Sequence, residues 1–244
     1  LNECTLGDLK NLNKLELIDF SRNNIENLTQ TCLDQFNSPS LLMLSYNKII
    51  KLSKFENLIK LNTLNLYGNY LNSIENDTFK NMSDLNILNL GKNQIEFLSS
   101  KSFQTLFNLV EVILYQNSLR TIFGCSFENL TKLERLYLNE NKIQIIELDA
   151  FKGLENSLET LQLSSNKLQF LRGHFFGHLF RLKNLYLSQN QITFIEKDSF
   201  NSLENLVELN LEQNNLYNID SKLFMNMKNL EILNLAWNVL RKLD

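Results

Sequence analysis

His174 and His178, four residues apart in the run His-Phe-Phe-Gly-His, are the only histidines in the sequence and the first residues to test for chemistry. On a helix that spacing would put both imidazoles on one face, where they could share a zinc ion. A zinc hydrolase of that kind also needs a glutamate directly after the first histidine as its base, and Phe175 stands there. A Ser-His-Asp nucleophile would have to recruit one of the same two histidines, and no Gly-x-Ser-x-Gly elbow is present. The glycine patterns that cradle dinucleotides or nucleoside triphosphates are absent as well. Cys4, Cys32 and Cys125 form an odd, sparse set that does not describe a disulfide framework. Cys4 fills an apolar slot, a Cys4–Cys32 bridge between neighbouring units stays open, and Cys125 has no evident partner. The sequence therefore reads as that of a protein that is not an enzyme, with no catalytic residue, cofactor or metal site.

What the residues do instead is repeat. Leu61, Leu64, Leu66, Asn69, Leu71, Ile74, Phe79 and Met82 are followed in the same order by Leu85, Leu88, Leu90, Asn93, Ile95, Leu98, Phe103 and Leu106. Leu109, Val112, Leu114, Asn117, Leu119, Ile122, Phe127 and Leu130 come next, a period of about 24 residues. Ten units start near residues 15, 39, 61, 85, 109, 133, 158, 182, 206 and 230, so residues 1–244 read as a single repeat domain. The Leu-x-Leu core alternates with period two, which points Leu64 and Leu66 inward and Thr63, Asn65 and Tyr67 outward on a short strand. One asparagine recurs in every unit: Asn23, Asn47, Asn69, Asn93, Asn117, Asn141, Asn166, Asn190, Asn214 and Asn238. An amide both donates and accepts, so it suits the backbone groups freed where the strand turns; losing one should cost roughly 1–3 kcal/mol. Asparagine also does the turning that Pro39, the one proline, and seven glycines cannot.

Phe79, Phe103, Phe127, Phe151, Phe176, Phe200 and Phe224 recur in register and should stack behind the sheet as core. Their width exceeds the strand spacing of about 4.8 Å, which puts the sheet on the concave side. Roughly 13 residues from each asparagine to the next strand leave room for loops and short helical turns on the convex side. The expected fold is an α/β repeat, rich in β: a curved solenoid with a parallel sheet lining the concave face. The unit from Pro39 is about two residues short and has proline in place of its first leucine, which predicts an irregularity in the sheet edge or the curvature.

The pattern L-x-x-L-x-L-x-x-N-x-I/L-x-x-I/L-x-x-x-x-F-x-x-L resembles the typical 24-residue class of animal extracellular leucine-rich-repeat proteins. That class includes Toll-like receptor ectodomains, Slit-like guidance proteins and the variable lymphocyte receptors. The resemblance covers nearly the whole chain and implies a non-catalytic module that binds a protein ligand or a receptor partner, with dimerisation left open. Such families usually carry cysteine-rich caps, and neither end of this sequence has one, so a fragment of a longer protein is expected.

A net charge of -3 and the lack of a basic stripe argue against nucleic acid as the partner. No run approaches the roughly 18 apolar residues of a membrane span, and no basic-then-apolar leader stands at Leu1, so any signal peptide is expected to have been removed or never included. Four Asn-x-Ser/Thr sequons, at Asn27, Asn76, Asn81 and Asn129, follow the strands and avoid the concave face. Five tyrosines (Tyr46, Tyr67, Tyr115, Tyr137, Tyr186) fall on or beside that face, with Ile113 and Met43 outward beside them. The ligand-binding candidates are Tyr67, Ile113, Tyr115, Tyr137 and Tyr186, since aromatic side chains offer large contact area with few rotors. The competing reading is that tyrosine simply pairs well across strands. Glu208, Glu212 and Glu231 make the C-terminal outward positions mildly acidic, partly offset by Lys183 and Arg135. Extracellular placement is the expectation; a reduced, unglycosylated intracellular scaffold, which the few cysteines permit, is the alternative.

Overall fold

The computed structural model describes residues 12, 14–28, 39–55, 58–99, 101–173 and 175–241. Cys4, Cys32 and their bridge, Leu9 and His174 lie outside the described residues. One parallel sheet of ten three-residue strands runs through the molecule in sequence order, from Leu17–Asp19 to Ile232–Asn234. Each strand pairs with the equivalent residues of the next unit, as Leu64 does with Leu88 and Leu88 with Val112. The middle residue is buried and its two neighbours are half-buried in every strand from Leu41–Met43 to Glu208–Asn210. That is the period-two alternation of the sequence made solid: the chain is a leucine-rich-repeat solenoid, a stack of flat coils.

The asparagine slot holds the coils together. Asn117 Nδ2 donates to Leu90 O in the preceding coil and to Leu114 O in its own, each at 3.0 Å. Its Oδ1 accepts from Ile95 N at 2.9 Å. The same donor and acceptor pattern recurs at Asn47, Asn69, Asn93, Asn141, Asn166, Asn190, Asn214 and Asn238. Among the described residues Asn23 bonds within its own turn, to the carbonyls of Phe20 and Ser21. The residue before this asparagine has a left-handed backbone in every unit, at φ between 51° and 69°, and only Gly68 among the ten is glycine. A non-glycine residue tolerates that region at a modest steric cost. The tight bend accounts for it, and it throws the side chain of that slot out along a rim.

Behind the sheet the phenylalanines stack. Centroids of consecutive rings from Phe55 to Phe200 are 6.1–6.4 Å apart and nearly parallel. Among the described residues Phe55 heads this column, one unit earlier than the sequence pattern shows, and Phe200 ends it: Phe224, expected as the next member, is half-buried and makes no stacked contact with Phe200. Coils spaced about 4.8 Å apart at the sheet and over 6 Å at the rings must fan open toward the rings, so the sheet is concave.

Two expectations need adjustment. The short unit from Pro39 does not disturb the sheet: Leu41–Met43 pairs in register with both neighbours, and Pro39 is buried. The missing residues come out between Asn47 and Phe55, where the chain has left the sheet. Beyond the asparagine turns from Asn23 to Asn190 the chain also forms a two-residue strand, and these eight strands pair in four separate ladders. The rest of the convex side consists of turns, with Ser221–Phe224 the one 3-10 helix among the described residues. Among those residues, too, no helix is long and apolar enough to cross a membrane.

Candidate functional site

The outward slots of the main sheet divide by what their side chains do. At the last residue of the strand, Asn65, Asn89, Gln162, Asn210 and Asn234 turn their carbonyl oxygens back to accept from the backbone two residues on, at 2.9–3.0 Å. Asp19 does the same with Ser21 N, and this bonding holds its carboxyl below the usual range. Such side chains close the strand end on itself. Ile113, Tyr137 and Tyr186 occupy the same slot with no amide to fold back, and they face outward.

Ile113 and Tyr137 are cross-strand partners in register. Burial, followed by the neighbouring Glu111 carboxylate, raises the Tyr137 phenol. Tyr186 stands two strands further on and donates its hydroxyl to Glu208 Oε2 at 2.8 Å. Burial and that carboxylate push its phenol up to about 12.

Tyr46, Tyr67 and Tyr115 form a second group. The Tyr46 and Tyr67 rings meet edge to face at 5.3 Å, and Tyr67 and Tyr115 are tilted together at 5.9 Å. Tyr67 and Tyr115 sit two coils apart, too far for neighbours on a uniform sheet. They meet because Gly91 stands in the coil between them: a Cβ there would fall 3.1 Å from Tyr67 Cδ2 and 3.3 Å from Tyr115 Cε1. Bonding to Tyr115, then burial, then Tyr46 raise the Tyr67 phenol well beyond the ordinary tyrosine range. Arg22 and Lys92 flank Tyr46, with cationic groups 5.0 and 5.7 Å from its ring centroid.

Of the sequence candidates, the fold thus brings Tyr67 together with Tyr115, and Ile113 with Tyr137, and keeps Tyr186 apart on Glu208. Glu212 accepts from Asn234 Nδ2, while Glu231 is exposed. Arg135 and Lys183 do not offset these acids. Arg135 is engaged by Glu111 at 2.7 Å and Glu134 at 3.0 Å, and Lys183 by Glu159 at 2.9 Å. The four sequon asparagines are exposed and off the main sheet: Asn27 in a short second-side strand, Asn76 just beyond one, and Asn81 and Asn129 in left-handed convex turns. His178 is exposed beside Phe180, in a stretch of turns where no helix aligns it with a second ligand.

Sequence reasoning missed two surfaces. One is the rim carrying Arg22 and Lys92. The other is the outward slot of the short second-side strands, where Asn27, Lys51 and Ser73 give way to Phe97, Ile145, Phe170 and Phe194, each 49–54 % exposed. The signal was available as large apolar residues directly before an inward Leu or Ile.

A leucine rich repeat family model matches residues 59–119, 107–157 and 156–216. Among solved structures, a leucine-rich-repeat protein of Leptospira interrogans superposes with a TM-score of 0.82 at 28% identity, over 96% of this chain and 57% of that one. TLR13, in a complex with the single-stranded RNA ssRNA13, superposes with a TM-score of 0.74 at 27% identity, over 94% of this chain and 38% of that one. The chain spans little more than half the length of the first of these proteins and less of the second. No curated protein matches the sequence significantly. With the repeat, the asparagine network and the phenylalanine column in place, the family matches make the conclusion plain: this chain belongs to the leucine-rich-repeat family.

Proposed function

We propose that this chain is a non-catalytic recognition module whose concave sheet binds a protein ligand or a co-receptor chain, outside the cell, within a Toll-like or related leucine-rich-repeat receptor. The observation that carries the reading is the switch at the strand-end slot from self-bonded Asn and Gln to Ile113, Tyr137 and Tyr186. Side chains released from backbone duty, in the middle of a sheet, are free to serve a partner. Tyrosine in particular gives contact area at low entropic cost. The TLR13 relative is bound to RNA, but here Glu208 and Glu212, which no cation pairs among the described residues, face outward and repel a polyanion, which favours protein.

A second reading, docking through the side that follows the asparagine turn, is favoured by the exposed Phe97, Ile145, Phe170 and Phe194. Photo-crosslinking separates the two. A benzophenone amino acid is placed at Tyr137, at Phe170 or at convex Lys101 and the protein is exposed to cells. The concave reading expects protein adducts at Tyr137 in excess over both other positions. Excess at Phe170 instead selects the second surface, and adducts no stronger than at Lys101 reject both.

Compartment rests on the four exposed sequons and on the family resemblance. A secreted adhesion or guidance protein is the alternative within the same compartment, and an intracellular scaffold the alternative outside it. Mass spectrometry of the protein from its native source should find glycan on Asn76 or Asn129. Bare asparagine at all four sequons would turn the assignment to the intracellular scaffold.

A further inference from the structure

We infer that the rim of the N-terminal coils receives an acidic segment of the protein partner, held along the rim by Arg22 and Lys92, the two cations that flank the ring of Tyr46. The inference rests on the protein-binding reading above and adds the chemistry of what docks at one end of it.

The rim slot, directly before each asparagine, has a left-handed backbone that turns its side chain away from the core. In four successive coils it reads Arg22, Tyr46, Gly68 and Lys92. Lys92 lies two coils from Tyr46, a stacking distance of roughly 10 Å, yet its ammonium comes within 5.7 Å of the ring centroid. Gly68 makes this reach open. The Tyr46 ring lies over the space a side chain would take, since a Cβ on Gly68 would be 3.0 Å from Tyr46 Cδ1. Arg22 approaches the same ring at 5.0 Å. Two cations are therefore collected around one aromatic ring, approaching it from opposite directions along the stack of coils, and each is attracted by the ring.

Lys51, Arg135, Lys152, Arg181 and Lys183 each have a carboxylate within 4 Å, while most other lysines and arginines among the described residues stand in solvent without one. Among the described residues neither Arg22 nor Lys92 has one. An acidic segment lying along the rim would pair with both. The far end of the same face is of opposite sign, with Glu208 and Glu212 outward. A partner that is acidic where it meets the first coils would lie along the sheet in one direction only.

A peptide fits this better than a nucleic acid. A polyanion continuing along the sheet would meet Glu208 and Glu212. Tyr46 and Tyr67 are also packed edge to face, so they do not offer the parallel open faces on which successive bases stack.

The test uses the whole chain and a fluorescent random copolymer of glutamate and tyrosine, read by anisotropy at low salt, with oligothymidylate and a lysine–tyrosine copolymer as counter-probes. Arg22→Gln and Lys92→Gln are combined in one variant, because Gln116, Gln189 and Gln213 already occupy this slot with φ near 55° and the backbone accepts the residue. The expected result is binding of the acidic copolymer that added salt removes and that the double variant weakens by about tenfold or more, with Lys101→Gln unchanged. Equal binding by wild type and double variant overturns the inference. So does no binding by the wild type, or tighter binding of oligothymidylate through the same two residues. Adducts at Tyr137 are scored separately. If they persist while the copolymer ignores Arg22 and Lys92, the acidic segment is wrong and the sheet reading stands.

Discussion

Asn117→Ala should lower the free energy of unfolding by about 2–4 kcal/mol, read from the shift of the denaturant midpoint at constant slope. One stranded buried group costs roughly 1–3 kcal/mol, and this substitution strands Ile95 N, whose acceptor is the Asn117 amide. Leu90 O and Leu114 O each lose one of two amide donors and keep the other, from Asn93 and Asn141. These groups sit between buried residues on two coils, where Asn117 itself is only 7% exposed and water is a poor substitute. Alanine also leaves a small void, which adds to the loss. The control is built into the chain. Asn23 fills the same slot in the first described coil, is exposed, and among the described residues bonds to the carbonyls of Phe20 and Ser21 alone. Asn23→Ala should therefore cost under about 1 kcal/mol, since solvent replaces what is lost. If the two variants lost equal stability, the amides would not be what joins the coils. A solenoid is stabilised coil by coil through its nearest neighbours. A shallower slope for Asn117→Ala, with the halves unfolding separately, would locate the damage at that junction and agree with the same account.

The parts of the fold that were legible in the sequence are those where one residue does one job in every coil. Leu64, Leu88 and Val112 must be apolar because each is walled in by the coil on either side, so the pattern survives reading in one dimension. The asparagine slot was legible for the same reason. Phe55 was not, because the two residues missing from its unit move it out of register, although its ring takes the head of the column. The left-handed rim was invisible because nearly any residue stands in it: Arg, Tyr, Gly, Lys, Gln, Glu, Ser and Trp all do. At the site, the outward direction of Ile113 and Tyr137 followed from strand alternation alone. The contact of Tyr67 with Tyr115 did not, because it depends on what is missing from Gly91 in the coil between them. A pattern search registers the residues that recur and passes over the one position where a side chain has been left out. Arg22 and Lys92 escaped for a related reason, 70 positions apart in sequence and joined only through a tyrosine ring.

Phe127→Ala should cost about 3–5 kcal/mol, the range for emptying the place of a buried phenylalanine, with the lost stacking on both sides placing it toward the upper end. Its ring is fully buried and lies 6.2 Å from those of Phe103 and Phe151, within 8° of parallel to each. The neighbours cannot close the gap, because the sheet fixes the spacing of the coils at the front through backbone hydrogen bonds that a side-chain change leaves intact. The cavity therefore stays, and with it the cost. Phe127→Leu refills most of the volume and should lose less than half as much. Phe224→Ala, at a half-buried ring beyond the stacked run from Phe55 to Phe200, should also lose less than half as much. Equal losses at Phe127 and Phe224 would mean that the rings contribute as separate hydrophobic residues and not as a stack. The rings stand behind the sheet and the tyrosines in front of it, so the two faces should separate in experiment. Well below its unfolding midpoint, Phe127→Ala should still give the Tyr137 crosslink, while a lost crosslink in a folded variant would show that the column sets the shape of the binding face as well as its stability. The rings hold successive coils more than 6 Å apart where the strands hold them about 4.8 Å apart, and that difference in width is what bends the sheet toward a partner.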